Sequence, residues 1–210
     1  MINLAQVVGI IAEYHPFHNG HLYQMRNARA LTGASYCVVF LSSYFVQRGM
    51  PAIYSPLKRA EAALRALPEG VHVVLDVSPV IGIPEGLPSD GVIVSMNHME
   101  AQEIAHQRGD ASVRNQQCLH PREAVRAMLA ALGRPVLLRA GAEGAYFVRS
   151  CDAALSAPDT DPSYIPTPRV EAIDTNGAGD AHSGVLAASL ALGIPTERAL
   201  LLANCAGALS

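Results

Sequence analysis

Short apolar runs of strand length alternate along this chain with stretches whose apolar positions recur at helical spacing. The apolar runs predict strands over residues 7–12, 36–41, 71–75, 91–94, 136–138 and 145–148. The helical spacing predicts helices over residues 22–31, 56–67, 99–106, 121–132, 179–192 and 196–209. Gly193-Ile194-Pro195 separates the last two as a helix stop followed by a proline start. Residues 156–168 hold four prolines among Asp and Ser and predict a surface loop. Strands in alternation with helices predict an α/β fold, a mainly parallel sheet with helices on both faces. No internal repeat interrupts the pattern.

Composition narrows the partners. Half of the 210 residues are hydrophobic and only 16% are charged, enough apolar material for a sizeable core in one large domain or two small ones. A net charge of -3, with no basic run longer than Lys58-Arg59, argues against a nucleic-acid surface. Cys37, Cys118, Cys151 and Cys205 include no CxxC pair, which disfavours zinc and points to a reducing cytosol, with Cys37 and Cys205 as buried thiols. The opening Met1-Ile2-Asn3 lacks the basic start of a signal peptide. No apolar run reaches the roughly 20 residues of a membrane span. A cytoplasmic protein without a membrane segment is expected.

Near the C-terminus, Asp174-Thr175-Asn176-Gly177-Ala178-Gly179-Asp180 runs directly into an apolar helical stretch. Amides of Gly177, Ala178 and Gly179 at a helix start are donors for a phosphate, and the helix dipole favours negative charge there. Asp180 on the first turn suits a general base for an alcohol. The plain alternative is a glycine turn that merely caps a helix. This run resembles the DTxGAGD signature of the ribokinase-like (PfkB) carbohydrate and nucleoside kinases, with His182 where an aromatic is usual. Asn97-His98-Met99-Glu100 resembles that family's NxxE motif, which implies that Asn97 and Glu100 organise magnesium at the ATP phosphates. The stretch from Arg134 to Ala145 resembles the nucleotide-carrying strand and turn, implying contacts from Gly141 and Gly144, with Arg139 in place of the usual Thr. Asn204 lies in a segment resembling the helix that closes over adenine. This resemblance covers roughly residues 68–210.

The first third carries different chemistry. An apolar strand, residues 7–12, leads through Glu13-Tyr14-His15-Pro16-Phe17 into His18-Asn19-Gly20-His21 and a helix. Two imidazoles at a helix start can donate to phosphate oxygens during attack at an α-phosphate, while a small Gly20 lets a nucleotide approach the backbone. Capping or surface histidines are the plain alternative. This HxGH pattern, with Gly9 to Tyr14, Phe45-Val46-Gln47-Arg48-Gly49, Pro51-Ala52-Ile53 and Arg59-Ala60-Glu61, resembles the N-terminal segment of the bacterial tRNA(Met) cytidine acetate ligases. That family is nucleotidyltransferase-like and activates acetate as an acetyl-adenylate. It normally has Asn at the position of His15, and its second ATP motif, SSTxxR, does not occur in this chain.

The two resemblances imply a chimera joined within a crossover helix near residues 64–68: a nucleotidyltransferase-like segment, 1–66, and a ribokinase-like segment, 67–210, within a Rossmann-like or ribokinase-like three-layer sandwich. The strand over 7–12 is expected to be central, beside and parallel to that over 36–41, with the HxGH loop at their C-terminal ends. The leading expectation is an ATP- and magnesium-dependent phosphotransferase acting on a sugar or other hydroxyl-bearing substrate, with Asp180 as base. The alternatives are an adenylyl-transferring ligase centred on His18 and His21, and a chain without catalysis. The histidines at 98, 106 and 120 are too far apart to share a helical turn and are expected to be exposed.

Overall fold

The computed structural model describes residues 7–34, 36–42, 44–46, 49–67, 73–78, 80, 82–85, 87, 91–108, 120–149, 161–172 and 174–210. Gln47, Arg48, Cys118, Cys151 and the expected junction at Pro68 lie outside these residues. The chain divides into two compact units. One comprises Met1–His72, Ile83–Gly91 and Ala191–Gly193, the other Val73–Gly82, Val92–Leu190 and Ile194–Ser210.

In the first unit, β1 (Val7–Ala12) pairs in parallel with β2 (Tyr36–Leu41), and α1 (Asn19–Thr32) makes the crossover between them. Ile10, Ala12 and Tyr14 form its core, with Phe17, Met25, Cys37, Val39, Leu41 and Ala63 packed around them. The expected pairing is present, but the expected central position is not. Among the described residues β1 and β2 make a sheet of two strands, and Ile11 remains 90% exposed. A hairpin that sequence pattern does not disclose follows, β3 (Phe45–Val46) and β4 (Met50–Pro51), because strands of two residues carry no alternation. Next comes α2 (Pro56–Leu64), started by Ser55, whose hydroxyl accepts from Lys58 N, and by Pro56 in the first turn.

Arg59 of α2 is 1% exposed. Its guanidinium donates to the Glu13 carbonyl, to Ser42 Oγ at 3.0 Å and to the Ser42 carbonyl at 2.8 Å, and its Nε donates to the Tyr54 carbonyl at 3.2 Å. One side chain thus joins the ends of β1 and β2 to the start of α2.

The second unit holds a five-stranded sheet in the order β5 (Val73–Asp76), β6 (Val92–Asn97), β7 (Val136–Arg139), β8 (Ala145–Val148) and β9 (Ser163–Ile165). β5, β6 and β7 are parallel, linked through α3 (His98–Gln107) and α4 (Pro121–Leu132). β8 pairs antiparallel with both β7 and β9, so the expected parallel sheet is a mixed one at this edge. The reason is the short turn at Gly141–Glu143, which can reverse a strand but cannot carry the long crossover that a parallel neighbour requires. β9 lies inside the stretch expected to be a loop, where Ile165 is buried opposite Ala145.

Alternate strand residues face opposite layers. Ile93, Leu137, Ala145, Phe147 and Ile165 pack with Leu186 of α5 (Ala178–Ala191) and with Ala199, Leu200 and Ala203 of α6 (Thr196–Leu209). Val92, Val94, Met96, Val136 and Leu138 are buried at the other parity, on the side of α3 and α4. This unit is therefore an α/β/α sandwich. No helix among the described residues is long and apolar enough to cross a membrane. Cys37 and Cys205 are free thiols, half-buried rather than buried. His106 and His120 are exposed, whereas His98 is half-buried.

His182 and Asn204 link α5 and α6. Asn204 Nδ2 donates to the carbonyls of Ile165 and Pro166 at 3.0 and 2.9 Å, so its Oδ1 accepts from His182 Nε2–H at 3.0 Å. His182 therefore carries a proton on Nε2. Burial, and then the positive charge of Arg139, push its pKa down to about 4.

Two predictions follow the packing. Replacing Arg59 with Met removes the donor that the carbonyls of Glu13, Ser42 and Tyr54 share, and is expected to cost about 3 kcal/mol, read as faster hydrogen exchange at the β1 and β2 amides. Unchanged protection there would show the clamp to be dispensable. The unfolded chain protonates His182 below about pH 6.5 while the folded chain resists until about 4, so stability is whole above that range and falls as pH drops through it. The expected loss approaches about 3 kcal/mol at the acid end, and His182→Gln, which keeps a donor for Asn204, should remove that part of the acid sensitivity in denaturant titrations at pH 7 and 4.5.

Candidate functional site

The first candidate site is the HxGH turn. β1 ends at Ala12, Tyr14 turns inward with a positive φ of 46°, and His18 caps α1. His18 Nδ1 accepts from Gly20 N at 3.0 Å, and His21 Nδ1 accepts from His18 N at 3.3 Å, a reciprocal capping box made of two imidazoles. A ring nitrogen that accepts carries no proton, so each neutral ring holds its proton on Nε2. The rings stack with centroids 3.9 Å apart and an interplanar angle of 25°. His18 is exposed and His21 half-buried. Two N–H donors therefore stand side by side at a helix start, where the dipole favours an anion. Burial, and then the neighbouring His18, hold His21 below the usual imidazole pKa, which keeps this neutral arrangement in place.

Gly20 serves the turn in a way the sequence does not disclose. A Cβ there would stand 2.8 Å from His18 Cε1, so the missing side chain makes room for the capping ring. Behind it, Tyr14 meets Phe17 edge to face at 4.8 Å and His21 at 5.0 Å. Burial pushes the Tyr14 hydroxyl up to about 12, so it remains protonated. His15 Nε2 accepts from Ile53 N at 3.3 Å, tying the turn to the segment after β4.

The second candidate site lies within the other unit, at the C-terminal ends of β5, β6 and β7. Gly177 takes a positive φ of 81° and Ala178 opens α5. Ala178 N donates to the Thr175 carbonyl at 3.3 Å and Ala181 N to the Gly177 carbonyl at 2.9 Å. Asp180 is exposed on the first helical turn. Asn97 and Glu100 cap α3 reciprocally: Asn97 Oδ1 accepts from Glu100 N at 2.9 Å, and Glu100 Oε2 from Asn97 N at 2.7 Å.

Arg139 organises this region. Its side chain, 12% exposed, makes a two-pronged pair with Asp76 at 2.7 and 3.1 Å. It also donates to Glu100 Oε2 at 3.3 Å, to the Gly179 carbonyl at 3.1 Å and to Ser183 Oγ at 3.3 Å. Ser183 in turn donates its hydroxyl proton to Asp76. These donors and acceptors do not fit magnesium held directly by Asn97 and Glu100. Asn97 Oδ1 and Glu100 Oε2 are both engaged by backbone amides, and Glu100 Oε2 also accepts from the guanidinium that pairs with Asp76. Among the described residues no group of three or more His, Cys, Asp or Glu converges on a metal-sized site.

The remaining residues singled out by the sequence take structural positions. Gly141 is exposed in the turn after β7, and a Cβ on Gly144 would meet the Ile165 carbonyl at 2.4 Å, so the close approach of β9 requires that glycine. Asn204 is buried, with both ends of its amide held within the protein. Asp76 escapes a reading by motif. Its only local signal is a carboxylate immediately after an apolar strand run.

Residues 5–84 match the HIGH nucleotidyl transferase family. The chain is 39% identical over 100 residues to a tRNA(Met) cytidine acetate ligase of Leuconostoc mesenteroides, and 51% identical over 100 residues to one of Oenococcus oeni. Each match covers 47% of this chain, and 25% and 26% of the relatives, so the chain spans about a quarter of their length. In structure it is similar to ribokinase of Thermotoga maritima, with a TM-score of 0.56 at 15% identity over 97% of this chain and 72% of that one. It is also similar to Arabidopsis thaliana ribokinase complexed with ribose and ATP, with a TM-score of 0.55 at 25% identity over 91% of this chain and 52% of that one. The chain thus combines sequence similar to HIGH nucleotidyl transferases in its N-terminal part with a fold similar to the ribokinases.

Proposed function

We propose that this chain binds ATP at the HxGH turn and presents its α-phosphate for adenylyl transfer to a small carboxylate. The carrying observation is the pair of stacked imidazoles whose Nδ1 atoms are held by backbone amides, so that both Nε2–H groups are fixed donors at the start of α1. As a carboxylate oxygen attacks the α-phosphorus and the bond to the bridging oxygen breaks, releasing pyrophosphate, negative charge grows on the non-bridging oxygens. Donors fixed in advance stabilise that charge without reorganising. The names of the relatives support the same chemistry, acetate being the acid and a tRNA the final acceptor in those ligases. For this chain both are part of the proposal.

A second reading has its own support. Asp174–Asp180 forms a glycine turn at the start of α5 with Asp180 exposed, and a similar fold in Arabidopsis thaliana ribokinase was determined with ribose and ATP. Here Asp180 would take the proton of an alcohol while the Gly177–Gly179 turn received the transferring phosphoryl group. The first reading ranks higher because its donor groups are complete within one turn, whereas in the second unit Asp76 and Glu100 are engaged by Arg139 and leave Asp180 as the one carboxylate that reading can use.

Calorimetric titration with magnesium-ATP separates the two. His18→Asn retains a side chain that caps helices well but lacks the outward Nε2–H, so the fold should persist while ATP affinity falls about 10- to 100-fold, the scale of one hydrogen bond to a charged group. ATP affinity unchanged in His18→Asn would discard the adenylyl-transfer site. In the second reading Asp180→Asn would retain ATP binding and lower phosphorylation of an alcohol by about 10² to 10⁴-fold. An absence of alcohol phosphorylation by the native chain would end that reading.

A further inference from the structure

Two carboxylates and one guanidinium meet where β5, β6 and β7 end. Asp76 closes β5, Arg139 closes β7, and Glu100 stands three residues past the end of β6 in the cap of α3. Arg139 contacts both carboxylates, and the same side chain reaches the Gly179 carbonyl and Ser183 on the first turns of α5. Gly179 is shaped to this contact, since a Cβ on it would lie 2.9 Å from Arg139 Nη1. A lysine could neutralise one carboxylate as a point charge. Only the planar fork of arginine engages Asp76 through two nitrogens while also serving Glu100, Gly179 and Ser183.

We propose that the Arg139 guanidinium is the resident cation of the second unit, holding at Asp76 and Glu100 the place a divalent ion would need, and fixing the glycine-rich start of α5 without a metal. A divalent ion entering between those carboxylates would have to displace a guanidinium from a largely buried pair, and would then leave that charge without an anionic partner. The hard oxygen ligands that magnesium or manganese requires are thus already taken up by the guanidinium. The proposal is independent of which of the two catalytic readings holds.

The test is titration of the full chain with Mn2+ alone, following free Mn2+ by electron paramagnetic resonance, for the native protein, Glu100→Gln, Arg139→Ala and Arg139→Ala/Glu100→Gln. Native protein and Glu100→Gln should bind Mn2+ equally. Arg139→Ala, which frees Asp76 and Glu100, should gain a site about 10-fold or more tighter than anything in the native chain, and the added Glu100→Gln should abolish it. Saturable Mn2+ binding by the native chain that Glu100→Gln removes would overturn the proposal. So would an Arg139→Ala protein that is folded by circular dichroism yet takes up no additional Mn2+. If Arg139→Ala does not fold, the native chain against Glu100→Gln decides alone, equal binding supporting the resident cation and unequal binding refuting it.

Discussion

The second unit depends on one guanidinium shared by two carboxylates at the ends of its parallel strands. Asp76 and Glu100 are largely shielded from water, and beside each other they would repel; the Arg139 guanidinium contacts both. That one contact set has three structural results. It anchors β5 to β7 across β6, it holds the capping carboxylate of α3, and through Gly179 and Ser183 it seats the first turn of α5. Removing one partner of such a buried set costs about 3 to 5 kcal/mol, because the remaining charges keep their desolvation penalty and lose the attraction that offset it.

The first unit meets a similar need with different chemistry. Its parallel strands also end at a loop followed by a helix start, but Arg59 is directed at carbonyls and a hydroxyl of the Glu13, Ser42 and Tyr54 segments. With the strand ends held, the loop from Glu13 to Phe17 can turn Tyr14 inward, its ring edge to face with Phe17 and tilted against His21. The histidines cap the helix through Nδ1, which leaves Nε2 outside the cap.

Much of the secondary structure was legible because its cause is local. The strands at Val7–Ala12, Tyr36–Leu41 and Ala145–Val148, and the helices at Pro121–Leu132 and Thr196–Leu209, have the bounds that apolar spacing and capping residues predict. α1 begins three residues earlier than its apolar pattern, because His18 is an unusual cap that periodicity does not register. β9 was hidden in a proline-rich stretch, since three residues between prolines show no alternation and become a strand only by pairing with β8. In the sites, both motifs were visible as residue strings, whereas Asp76 was not, and Arg139 read only as a departure from a family pattern.

The sequence by itself determined the alternation of strands and helices, the two helix starts that carry HxGH and DTNGAGD, and the separate family resemblances of the two parts, because each is encoded within a few neighbouring residues. The tertiary structure decided the rest. Asp76 and Arg139 are 63 residues apart in the chain, Arg139 and Ser183 are 44 apart, and His182 and Asn204 are 22 apart. Whether those groups neutralise, cap or desolvate one another depends on which strand ends lie side by side. No periodicity records that, because sheet order is settled by packing of the whole layer rather than by any local run of residues.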